Sequence, residues 1–156
     1  MRERRLNIFF GIAIAVLAIV GIFCFFAPAF ADMGGYPASR GSVFHLMFGY
    51  EKAPKYNVQP LLIVAFVTMI VGALSALIAG LLPGKLGVVG FGLAAICLIF
   101  SGVVCAMGVQ IFKATNPSDA PDMDKLALGA GYICGIIFNF LPGVLCLYAG
   151  YKAFKA

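Results

Sequence analysis

The chain has 156 residues, 63% of them hydrophobic and 11% charged, with a net charge of +5. Soluble domains carry about 25% charged residues, and no water-soluble fold of this length could hide so much apolar surface. The composition therefore excludes an ordinary soluble enzyme or nucleic-acid-binding domain. The basic residues flank apolar runs, which reads as membrane orientation and not as a nucleic-acid footprint.

The first apolar run covers 6–30 and follows Arg2, Arg4 and Arg5. It exceeds the roughly 20 residues a helix needs to cross about 30 Å of hydrocarbon. Helix is required because backbone polar groups find no water partners in lipid. Ala29-Phe30-Ala31 before Asp32 also has the form of a secretory cleavage site. Signal cores run only about 7–15 residues, however, so a retained span is expected.

An outer loop, 31–58, comes next, with Gly34-Gly35, Pro37, Gly41 and Pro54 as turn formers. Inside it, Ser42 to Phe48 forms an apolar block too short for periodicity to separate a helical turn from a strand. Three placements stay open for the aromatic side made by Tyr36, Phe44, Phe48 and Tyr50: over the bundle mouth, in the headgroups, or against a partner.

Spans at 59–82 and 86–112 are joined by the inner turn 83–85, Pro83-Gly84-Lys85. So short a connection forces them to be antiparallel neighbours. A second outer loop, 113–125, contains the bend Asn116-Pro117-Ser118 and leads to the last span, 126–151. Together these elements predict an all-α membrane protein: a four-transmembrane-helix bundle, one domain over 1–156, with a small element between helices 1 and 2. Arg2, Arg4, Arg5, Lys85, Lys152 and Lys155 fall on one side, and Arg40, Lys52, Lys55, Lys113 and Lys125 on the other. Because the first helix usually dominates topology, both termini are expected on the cytoplasmic side of the cell inner (plasma) membrane. Tyr148 and Tyr151 read as inner boundary anchors, and Tyr56 and Tyr132 as outer ones.

The third span carries a stripe of small residues, Gly87, Gly90, Ala94, Cys97, Ser101, Cys105 and Gly108. The fourth repeats it with Ala127, Gly131, Gly135, Asn139 and Gly143, and the second with Gly72, Ala76 and Gly80. In lipid such faces let backbones approach closely. Packing inside the bundle is the first reading, and an interface to a second copy or another membrane protein is the second. Asn139 lies near mid-span, three residues before Pro142, whose ring removes a helical hydrogen bond from the Phe138 carbonyl. The pair predicts a kink. It is read first as an interhelical hydrogen bond, and otherwise as the polar waist of a solute path.

Catalytic chemistry has little to stand on. None of the four spans contains Asp, Glu, Lys, Arg or His, although relays and coupled transporters retain such groups despite a cost of about 2.5–3.5 kcal/mol at mid-membrane. His45 is the single histidine, and Asp119, Asp122 and Asp124 lack the spacing and glycine of a calcium loop. No catalytic, cofactor or metal residues are assigned and no enzyme activity is expected. All five cysteines, Cys24, Cys97, Cys105, Cys134 and Cys146, lie within apolar runs without a C-x-x-C pair. They read as packing residues and not as a disulfide framework.

Gly41-Ser42-Val43-Phe44-His45-Leu46-Met47-Phe48-Gly49 after span one and Gln59-Pro60-Leu61-Leu62 opening span two resemble a loose group of uncharacterised small bacterial four-span proteins. That resemblance implies the layout and no activity. The layout is also similar to claudin-like proteins in its larger first outer loop, but here that loop has neither tryptophan nor a cysteine pair. The function expected is that of a non-enzymatic accessory or interaction component. A small oligomeric channel or transporter for an uncharged solute is the alternative.

Overall fold

Glycine and alanine line the seams between the helices of this protein, and large aliphatic side chains cover its outside. The computed structural model describes residues 2–31, 41–49, 57–117 and 126–155. Four helices carry the bundle: α1 (Arg2–Cys24), α3 (Pro60–Leu81), α4 (Gly84–Ala106) and α6 (Ala130–Lys155). Their apolar lengths run from 20 to 26 residues, enough at 1.5 Å per residue to cross a bilayer. Phe23 is 68% exposed and Ile96 70%. A belt of such residues on every helix would form an intolerable patch in water but is what acyl chains solvate. The fold is an all-α four-helix membrane bundle.

Around the bundle the helices follow the order α1, α3, α4, α6, and α6 closes back on α1. Each seam is made by small residues. A Cβ on Gly80 would lie 2.8 Å from the Asn7 carbonyl oxygen and one on Gly11 2.8 Å from that of Ala76, so the α1 and α3 backbones touch. The α3/α4 seam packs Gly72 against Leu98 and Cys97, and Gly90 against Ala79. The α4/α6 seam packs Gly102 on Phe140, Gly135 on Cys105 and Gly143 on Ile99. Gly21 of α1 meets Phe138 of α6.

At the end of the bundle away from the termini the structure departs from the expected span boundaries. The first helix stops at Cys24, not Phe30, because Pro28 has no N–H and biases Ala27 away from helical dihedrals. The chain then turns, with Ala27 N–H donating to the Cys24 carbonyl at 3.0 Å. It continues as a two-residue strand β1 (Phe30–Ala31), paired antiparallel with β2 (Ala127–Leu128) in the register Phe30 to Leu128 and Ala31 to Ala127. The last span therefore begins as helix at Ala130, not at Leu126. Gly129 is needed at this join, since a Cβ there would sit 2.7 Å from the Ala29 and Phe30 backbone.

The apolar block of the first outer loop is a helix, α2 (Val43–Phe48). Ser42 caps it by accepting from the His45 N–H at 3.3 Å, and Gly49 ends it at φ 82°. Val43, Leu46 and Met47 are buried, so this helix packs over the bundle mouth. The third span, expected to be continuous to Phe112, is interrupted at Met107 and resumes as α5 (Gly108–Thr115). There the Tyr132 ring presses on Gly108, where a Cβ would be 2.6 Å from Cε1. Tyr132 is fully buried against Phe30 and is no outer boundary anchor. Tyr148 and Tyr151 are half exposed beneath the Lys152 and Lys155 ammonium groups, the placement of interfacial residues. Tyr36, Tyr50 and Tyr56 lie outside the described residues.

Candidate functional site

Two buried polar side chains meet on the α4/α6 seam. Ser101 on α4 and Asn139 on α6 are fully buried, and a Cβ on Gly102 would lie 3.3 Å from that of Asn139. The Asn139 amide donates from Nδ2 to the Gly135 carbonyl of its own helix at 2.6 Å. Its Oδ1 and the Ser101 hydroxyl are unpartnered among the described residues, as is the Tyr132 hydroxyl two turns outward. The hydrogen bond is therefore intrahelical and not interhelical. α6 passes Pro142 as one helix from Ala130 to Lys155, so no discontinuous-helix site forms there. The carbonyl that Pro142 deprives of a donor, that of Phe138, faces Gly21, where a Cβ would lie 3.3 Å from it.

The residues of the small stripes are packed against helices of the same chain. Gly87 sits against the Leu82 and Ala79 carbonyls in the hairpin, Gly131 against the Ala27 carbonyl and Val43, and Ala94 is buried. Cys97, half-buried, faces Gly72. What these contacts accomplish is structural: they hold the four backbones together.

The cap formed around α2 presents the other candidate. A groove of about 280 Å³ is lined by Phe26, Pro28, Gly41, Ser42 and His45. The His45 ring is exposed, with Nδ1 2.8 Å from the Ser42 hydroxyl. Phe26 stacks on Phe44 at 4.8 Å, and Phe44 packs edge-on against Phe48 at 5.2 Å. Beneath α2, Gln59 is fully buried with both amide atoms unpartnered among the described residues, while its backbone N–H donates to the Met47 carbonyl at 3.2 Å. Gln59 carries no chemical motif, and its burial depends on a loop that sequence patterning does not place. Among the described residues no three His, Cys, Asp or Glu side chains gather as for a metal. Asp119, Asp122 and Asp124 lie outside those residues.

The five cysteines are free, and two of them are neighbours: Cys24, the last residue of α1, and Cys134, in the second turn of α6. Sequence reading missed this pair, because its members lie in the first and last spans and no spacing rule connects them.

Fold and site together define a multi-pass integral membrane protein: a tightly closed four-helix bundle with a small folded cap at one end. Compared with known protein families, curated proteins and solved structures, the chain finds no match.

Proposed function

We propose that this protein is a non-enzymatic accessory or interaction component of the cell inner (plasma) membrane. Its surroundings are lipid and its partner a second copy or another membrane protein. The observation that carries this reading is the closed interior: the four backbones touch through glycines, and the mid-bundle polar residues Ser101 and Asn139 have no exposure. A single chain packed this way offers a solute no path, whereas its folded cap offers an exposed edge at Phe26, His45 and Phe48. Crosslinking in cells followed by purification in mild detergent should recover the chain with a discrete partner or as an oligomer. A lone monomer with nothing retained overturns the reading.

In this reading both termini lie in the cytoplasm. The helix order puts the start of α1, the Lys85 turn and the end of α6 at one end, where basic residues favour the inside. Thiol labelling of cysteines introduced at Lys85 and Ala156 should give cytoplasmic accessibility for both. Unpartnered oxygens on Ser101 and Asn139 favour a second reading, an oligomeric channel or transporter for an uncharged solute. In that case Asn139→Leu would abolish flux in liposomes.

A further inference from the structure

We propose that Cys24 and Cys134 form a redox-active dithiol at the outer rim of the bundle, converted to an intrachain disulfide by exchange with a disulfide donor. The register of the first and last spans places the two side chains together, and Cys134 is the group that neighbours the Cys24 thiol. One turn before Cys24, Gly21 meets the backbone of Phe138, and in the turn that follows α1 the Ala27 carbonyl lies against Gly131. Between these two backbone contacts Cys24 stands opposite Cys134. A disulfide needs Cα atoms about 4.4–6.8 Å apart, and the backbone contacts on either side of the pair bring the two segments to close approach.

Access separates this pair from the buried thiols. Cys24 and Cys134 are both partly exposed, whereas Cys105 and Cys146 are buried. With the termini inside, the pair stands at the outward end, facing the compartment where disulfides persist. The chemistry balances without a metal or cofactor. One thiol loses its proton and attacks a sulfur of the donor disulfide, giving a mixed disulfide and releasing one donor thiol. The second, deprotonated in turn, attacks the protein sulfur of that mixed disulfide and releases the other donor thiol. The protein dithiol is oxidised by two electrons and the donor disulfide is reduced to two thiols. The product staples the first helix to the last beneath the β1/β2 pair, closing the α1–α3–α4–α6 ring covalently at its outer end. This inference rests on the orientation proposed above and not on the accessory role.

The test uses membranes containing the full chain, treated with 2,2′-dipyridyl disulfide as donor, then alkylated with N-ethylmaleimide in detergent and mapped by mass spectrometry. The expected result is a dithiothreitol-sensitive peptide pair joining Cys24 to Cys134 within one chain in most molecules. Cys24→Ser and Cys134→Ser should each abolish it, and Cys97→Ser should leave it unchanged. Recovery of Cys24 and Cys134 as separate thiopyridyl or maleimide adducts, or joined between chains, overturns the proposal. Mapping on the unsubstituted chain decides the matter even if a variant folds poorly.

Discussion

Adding one methyl group at Gly80 tests whether the bundle is held by backbone contact. The new Cβ would sit 2.8 Å from the Asn7 carbonyl oxygen and 3.2 Å from the Gly11 Cα. Neither obstacle is a side chain able to rotate aside, so relief to an ordinary contact distance requires α1 and α3 to part by about 0.6 Å. A gap of that size forfeits a quarter to a half of each van der Waals well of roughly 0.1–0.2 kcal/mol. Over on the order of 40 atom pairs along the seam the loss is about 2 kcal/mol. That falls within the roughly 1–3 kcal/mol of overpacking, and the better helix propensity of alanine, up to about 1 kcal/mol, offsets part of it. Gly92→Ala is the matched control: nothing lies within 4 Å of its Cβ position, so propensity alone acts and stability should hold or rise. Unfolding is followed by titrating a mild-detergent sample with sodium dodecyl sulfate and reading maleimide reactivity of the buried Cys105 and Cys146 thiols. The transition should move to lower denaturant for Gly80→Ala and not for Gly92→Ala. Equal shifts for the two variants would refute the reasoning.

Further outcomes follow from contacts at three places. Asn139→Leu removes an amide whose Oδ1 is unpartnered and should change stability by less than about 1 kcal/mol in the same titration. Asn139→Asp should destabilise by about 2.5–3.5 kcal/mol through a buried charge. Tyr132→Phe deletes a hydroxyl without a partner and should be neutral or stabilising, whereas Gly108→Ala drives a Cβ into the buried ring and should cost about 1–3 kcal/mol. Ser42→Ala removes the cap of α2 and should cost that helix about 0.5–2 kcal/mol, read as faster amide hydrogen exchange over Val43–Phe48 with exchange in α3 and α4 unchanged.

The difference between what this sequence discloses and what it withholds is physical. Crossing lipid is a property of each segment by itself, since every backbone polar group must be satisfied within its own helix. Hydropathy therefore located all four spans, and Pro83-Gly84 located their tightest turn. Small-residue stripes were readable for the same reason: Gly80 or Gly135 marks a face before its partner is known. Which face receives it is a property of pairs, and there the sequence is silent. Leu126 to Gly129 is apolar enough for helix and becomes β2 because Phe30 and Ala31 stand opposite it. Tyr132 has the composition of a boundary anchor and is buried because Gly108 leaves room for its ring. The two cysteines at the outer rim are the sharpest case. Each reads as a packing residue within its own span, and they become a chemical unit because Gly21 and Gly131 let α1 and α6 approach on either side of them. In a chain this poor in ionisable groups, chemistry has to arise from such juxtapositions, so the seams between its helices are the place to look for what the protein does.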